Sequence, residues 1–305
     1  MPATSLKAAE KQSILKKLVT EMKRRYGGSL PKQQLSTFET LTFAALLEDS
    51  SQAEAEAAYS RLLESFFDLN EIRVSSVTEI EISLASLPDS DWKAMRVREA
   101  LQYVFEKHYA FDLEFLRRKT QDVAVKELSK MPYQTPFIRN YVVQHSLGAH
   151  VLPIDRTMHD VLIWLGLADQ PSSGKASDDD RRDRAAVAGE DLKSAVKKSD
   201  GVLICHLLKC VATDPELQPV FEDGIDSDAE LDPYEAPKRL AELFKNPKKG
   251  RKKKTPAKAV SRKKPTKKST SRSKAPKKSA SRTTAKKVTK KRPTKSSTSK
   301  RTKTK

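Results

Sequence analysis

Between Met131 and Gly166 the chain reads MPYQTPFIRNYVVQHSLGAHVLPIDRTMHDVLIWLG, and its punctuation leaves little conformational freedom. Thr135 is a residue type that caps helix N-termini. Pro136 suits the first helical position, where the missing N–H has no partner to lose. Phe137, Tyr141, Val142 and Val143 then give one apolar stripe, and Gly148 ends the helix. Residues His150 to Ile154 are extended, because Pro153 disfavours helix at the residue before it. Asp155 opens a second helix through Leu165, with Met158, Val161, Leu162 and Leu165 inward and Gly166 as its stop.

The rest of the chain is read the same way. Helices are expected over Ser5 to Tyr26, Thr37 to Leu47, Ala53 to Ser65 and Lys93 to Tyr109, and Gln121 to Ser129 leads into the turn that begins at Met131. One short helix is expected within Asn70 to Ala85, near Val77 to Leu84, and Asp112 to Arg118 is short. Later helices are expected over Asp191 to Lys198, Val202 to Val211 and Pro237 to Phe244, with Asp169 to Asp183 as a polar loop. No alternating strand pattern occurs, so the fold class is all-α.

The charge divides the chain in two. Residues Lys248 to Lys305 carry 27 Lys and Arg and no Asp or Glu, which leaves 32 basic against 40 acidic residues, a net of −8, for positions 1–247. The basic tail holds almost no large apolar residue, cannot offset the entropy of ordering, and is expected to be disordered. Its Lys-Lys-Pro and Ser-Arg-Ser-Lys-Ala-Pro-Lys-Lys units resemble linker-histone tails. Such a segment, including Lys252, Lys253 and Lys254, binds double-stranded DNA without sequence readout; a targeting signal or a solubilising appendage stay open beside it. The 2 cysteines give no disulfide framework, and no stretch approaches the ~20 apolar residues of a membrane span. We expect a monomer with no membrane contact in a reducing compartment, the cytoplasm or nucleoid, or the nucleus in a eukaryote.

The central stretch resembles the helix-hairpin-helix DNA glycosylase superfamily, its endonuclease III branch in particular. Met131-Pro132 matches the start of that family's hairpin, Ile154-Asp155 its aspartate segment, and Leu165-Gly166 the end of the next helix, all without gaps. Phe38-Glu39 with Leu46-Leu47 resembles its first core helix, and Lys93 to Val97 its Lys-Ala-x-x-Ile helix. The likeness runs from about Thr37 to Cys210. It implies a two-lobed fold: a helical bundle over residues 30–149, and a second lobe made from residues 1–29 and 150–246, with the tail from 247. A cleft between the lobes would present Asp155 beside the turn of Met131 to Arg139.

The resemblance also implies roles. Asp155 becomes the candidate catalytic carboxylate, stabilising positive charge on a deoxyribose as the base of a flipped nucleotide departs. The same residue also reads as a plain N-cap, and the two roles are compatible. Tyr133, Gln134, Thr135 and Arg139 fall on the hairpin that contacts a DNA phosphate, although Tyr133 and Thr135 replace its glycines. Ser50 and Ser51 fall on the loop that fills the gap left by the extruded base, where Glu48 and Asp49 are unexpected neighbours for a phosphodiester. The lyase lysine of related enzymes falls on Phe137, so Schiff-base cleavage by the usual route is not expected. Cys205 and Cys210 lie ~140° apart around a helix, so neither an iron–sulfur cluster nor another cofactor is expected. Three readings stay open: a base-excision-repair glycosylase without lyase chemistry, a glycosylase-like nucleoid or chromatin-binding protein that has lost catalysis, or a helical interaction domain with a basic tail and no contact with a DNA lesion.

Overall fold

The computed structural model describes residues 6–32, 34–169, 177–222 and 231–247. The basic tail, with the DNA binding expected of Lys252, Lys253 and Lys254, lies outside the described residues. Those residues are helical, with no strand among them. The helices are α1 (Ala8–Tyr26), α2 (Thr37–Leu47), α3 (Gln52–Ser65), α4 (Leu69–Val74), α5 (Val77–Leu84), α6 (Ser90–His108) and α7 (Gln121–Leu128). They continue as α8 (Pro136–Leu147), α9 (Arg156–Trp164), α10 (Asp178–Lys193), α11 (Gly201–Ala212), α12 (Gln218–Glu222) and α13 (Ala236–Lys245).

Local chemistry sets most of these limits. Ser36 caps α2 and Glu39 reaches back to its N–H, satisfying two orphan donors. Ser51 with Glu54 does the same for α3. Thr135 accepts from Ile138 N–H to cap α8, and Gly148, at φ +63°, closes it. Gly166 (φ +72°) turns the chain after α9 where a Cβ would come within 2.8 Å of the Leu231 carbonyl oxygen, so the turn and the packing both require glycine.

Three segments differ from the sequence expectation. Residues 69–84 form two helices, because Asp68 caps α4 through Glu71 N–H and Ser76 caps α5 with Glu79. The end of the expected polar loop is helix: Ser177 and Asp180 make a capping box, and Asp178 to Asp180 place negative charge at the positive end of the α10 dipole. That helix stops at Lys193, and residues 194–200 turn into α11 through a 3-10 segment, Lys198–Asp200.

Helix α2 organises the core. Almost all of its residues are buried, as expected of a helix that is apolar all round. It packs against α3, α6 and α8, while α5 and α4 lie on α6. Helix α1 packs on α11 and α13, and α9 on α10 and α11. Arg25 ties the end of α1 to the turn after α11, donating to Asp214 at 3.0 and 2.8 Å and to Glu216 at 2.8 Å. Lys93 of α6 is fully buried beneath the end of α2. Its ammonium donates to the Leu46 carbonyl (2.7 Å), the Glu48 carbonyl (2.6 Å) and Ser50 Oγ (2.6 Å). The lysine thus supplies donors to carbonyls that the helix terminus leaves unpaired.

Candidate active site

Asp155 is the N-cap of α9 and is 1% exposed. Gln144 of α8 donates to the Val151 carbonyl at 2.7 Å, fixing the extended strand of chain that leads into it. Gly189 of α10 lets that segment pass closely, since a Cβ there would meet the Leu152 carbonyl oxygen at 2.5 Å. One carboxylate oxygen, Oδ1, accepts from Met158 N–H and Thr157 Oγ1, each at 2.9 Å. The other, Oδ2, accepts from Asp49 N–H at 2.9 Å and from the Lys209 ammonium. Burial pushes this carboxyl up, but Lys209 and the backbone donors outweigh it and hold it below the usual carboxylate range.

Lys209 was not among the residues singled out from sequence, and it changes the expected picture. The carboxylate does not stand at the mouth of a cleft; Lys209, itself buried, lies against it from α11. Lys209 in turn lines a pocket enclosing about 160 Å³ between α8 and α11. One wall is Phe137, Tyr141 and His145, successive turns of α8; the facing wall is Val202, Cys205, His206 and Lys209. The spacings i, i+4, i+8 and i, i+3, i+4, i+7 put each set on one helix face. Tyr141 stacks on His145 with centroids 4.0 Å apart, Phe137 lies 5.9 Å from Tyr141, and the Lys209 Nζ sits 5.2 Å from the Phe137 centroid. The apolar stripe of α8 read from sequence is therefore partly a pocket wall.

The loop after α2 turns its charge inward. Glu48 pairs with Arg96 at 2.7 Å in the core, and Asp49 (φ +56°) pairs with Arg156 at 2.7 Å. Burial pushes the Glu48 carboxyl up in spite of Arg96, and burial likewise pulls Arg96 down, so desolvation exceeds attraction in this pair. Arg156 also reaches Asp89 at 2.7 Å and Asp178 at 2.9 Å, joining four segments through one guanidinium. The two unexpected acids are thus spent on arginines of the body. Ser50 is buried on Lys93, with its hydroxyl directed inward, and Ser51 is the half-buried cap of α3.

The turn before α8 contains no glycine. Tyr133 holds φ +60°, a conformation that costs a non-glycine residue roughly 1–2 kcal/mol. Its exposed ring lies 6.3 Å from Trp92. Gln134 offers its carbonyl to Arg139 Nη1 at 2.8 Å, and burial holds that guanidinium below its ordinary value. Tyr133, Gln134, Thr135 and Arg139 line a groove separate from the Lys209 pocket, whose opposite side is Asp178, Asp179, Arg182 and Asp183 of α10. A phosphate on this turn would meet mixed charge.

Cys205 and Cys210 are free thiols, and Cys210 Sγ lies 3.7 Å from His206 Nε2. Among the described residues no group of three or more His, Cys, Asp and Glu could hold a metal ion. No described helix is long and apolar enough to cross a membrane.

No protein-family model matches the sequence, and no curated protein matches it. Solved structures do. A non-covalent endonuclease III–DNA complex aligns at 16% identity and a TM-score of 0.49, over 65% of this chain and 84% of that one. A Clostridium acetobutylicum 8-oxoguanine glycosylase/lyase bound to double-stranded DNA aligns at 12% identity and 0.44, over 67% and 69%. An H. pylori 3-methyladenine DNA glycosylase bound to 1,N6-ethenoadenine aligns at 15% identity and 0.43, over 65% and 94%.

Proposed function

We propose that this protein is a DNA-binding base-excision-repair glycosylase, with Asp155 as the charge that drives base release and residues 248–305 as its hold on the duplex. The observation that carries the reading is the buried pair of Asp155 and Lys209, whose lysine lines an aromatic-walled pocket, with Asp155 at the position in the chain where the sequence resemblance puts a catalytic carboxylate. A flipped base would enter between the α8 and α11 walls. A cavity of about 150 Å³ accepts a ring the size of benzene, so the pocket takes part of a base without rearrangement. As the C1′–N bond breaks, the base leaves with the bonding electrons and the sugar becomes oxocarbenium-like. A fixed negative charge favours that state over the ground state. Water then adds to C1′, and its proton passes to the departing base or solvent.

The bonds from Met158, Asp49 and Thr157 hold Asp155 in place, so little reorganisation is needed when the sugar charge develops. Phe137, Tyr141 and His145, from the proposed 30–149 lobe, would form one wall of the binding cleft, and Val202, Cys205, His206 and Lys209, from the proposed second lobe, the other. Strand cleavage through the helix that follows the turn is not part of this reading, because Phe137 has no amine.

The test is release of free base from duplexes carrying a panel of oxidised, alkylated and deaminated bases. The intact protein is expected to release at least one of them. Val202→Trp, which fills the pocket from α11 without touching Asp155, is expected to stop that release while leaving binding to undamaged duplex intact. Release from no substrate, or undiminished release by Val202→Trp, overturns the reading.

A further inference from the structure

Tyr133 is not the residue that the turn before α8 favours. Its left-handed backbone is one that glycine adopts freely and a bulky side chain adopts at a cost. What the chain gains there is a ring, 51% exposed, beside the 47% exposed ring of Trp92 at the start of α6. The centroids are 6.3 Å apart and the planes tilted by 57°, so the two rings form an open corner rather than a packed pair. Both line the groove of about 690 Å³ between the turn and α10. The same groove holds Gln134, whose amide oxygen and nitrogen are both buried and meet no partner among the described residues, where such groups are ordinarily paired. Four aspartates and three arginines share the lining. Arg156 holds Asp89 and Asp178, and Arg182 holds Asp179. A polyanion gains little from that balance of charge. A neutral heterocycle with an aromatic face and a polar edge suits it.

We infer that this groove binds an unpaired nucleobase of single-stranded DNA, stacked on Trp92 and Tyr133 with its polar edge toward Gln134. The phosphate contact that the sequence resemblance implies for this turn is thereby replaced by a contact to the base. A base inside a duplex has both faces covered by its neighbours, so the strand must be open for the groove to fill. Stacking on the two rings tolerates any base, while the Gln134 amide offers one acceptor and two donors to its edge. Arg139 Nη1 donates to the Gln134 carbonyl, which fixes the backbone of the turn beneath the ring. The groove shares no residue with the Lys209 pocket, so its occupation does not depend on base release beside Asp155.

The experiment compares two labelled single strands of about 12 nucleotides, a length within the span of single-strand sites. One is oligothymidylate. The other is a phosphodiester of tetrahydrofuran abasic units with the same number of charges. Each is titrated with the full-length protein, whose 27 Lys and Arg beyond residue 247 meet equal charge in both. The thymine strand is expected to bind about tenfold or more tightly than the abasic strand, and to quench tryptophan emission. Trp92→Ala and Tyr133→Gly are each expected to lower that ratio about fivefold or more. Quenching is expected to vanish in Trp92→Ala, which keeps Trp164 as its one tryptophan. Tyr133→Gly removes the strained conformation and is expected to unfold no earlier in denaturant than the parent, so its loss of binding is not loss of fold. Should it unfold earlier, Trp92→Ala at a matched folded fraction decides. A parent ratio near one, or a ratio that survives either substitution in the folded protein, overturns the inference.

Discussion

Ending the chain at residue 247 is expected to lower its affinity for undamaged duplex by about 10³-fold at low salt and to remove most of the salt dependence. The reason is the division of charge. Residues 1–247 carry a net charge of −8, so their long-range field repels DNA, while the 27 Lys and Arg beyond them carry no compensating acid. Each phosphate neutralised releases a counterion, and the slope of log affinity against log salt shrinks by roughly 0.9 for every phosphate that is no longer neutralised. The turn before α8 does not make up the difference, since Asp178, Asp179 and Asp183 line the same groove as Arg139. Titration of a labelled undamaged duplex at several salt concentrations checks this. Equal affinity and slope after truncation would place the binding surface in the helical body.

Replacing Lys93 by Met is expected to cost about 3 kcal/mol of folding stability, the largest loss anticipated for a residue outside the pocket. Three acceptors lose the ammonium together, the Leu46 carbonyl, the Glu48 carbonyl and Ser50 Oγ, and the Glu48 carbonyl keeps only a 3.4 Å bond from the Ser50 hydroxyl. Those groups shape the turn that brings Asp49 N–H to Asp155, so the damage extends to the site. The substitution also has a pH signature. Burial, reinforced by the charge of Lys209, lowers the Lys93 ammonium to about 8, against 10.5 for a free lysine. Between those values the unfolded chain binds more protons than the folded one, so this residue favours the fold increasingly as pH rises from about 8 to about 10.5. Denaturant unfolding across that range should show the rising contribution in the parent and not in Lys93→Met. An identical pH slope in the two proteins would show that the buried ammonium is not held as described.

Local signals carried the sequence reading a long way. Thr37–Leu47 and the helix from Pro136 to Gly148 are bounded by caps, a proline and a glycine whose effects reach only a few residues, and there the expected and observed limits agree. Asp155 as an N-cap was legible for the same reason. The second short helix, Leu69–Val74, was missed although Asp68 stands where a cap is needed; six residues are too few for a periodic pattern to emerge. The acid- and arginine-rich start of α10 looked like a loop because its polarity conceals its helical support. Ser177 caps it, Arg182 pairs with Asp179 within it, and Arg181 reaches Asp160 on α9.

The pocket was the least legible part, because its pairings are far apart in sequence. Asp155 meets Lys209, Glu48 meets Arg96, and Asp49 meets Arg156 only once the helices have packed. One signal was present. A lysine within Ile204-Cys205-His206-Leu207-Leu208-Lys209-Cys210-Val211 sits where an apolar helix face should continue, and such a charge requires a buried partner. Tyr133 held the opposite lesson. The glycine was absent, yet the left-handed backbone persists because the surrounding structure imposes it.

In the proposed reaction the carboxylate of Asp155 drives cleavage of the bond between base and sugar. That role is tested most directly by single-turnover base release from a substrate found in the lesion panel, comparing the parent with Asp155→Asn at matched folded fractions. The amide keeps the shape of the side chain and an acceptor for Met158 N–H but removes the charge. The rate of base release is expected to fall about 10²–10³-fold with little change in duplex affinity. A rate within a few fold of the parent would contradict it and leave Asp155 as a helix cap bound to a buried lysine.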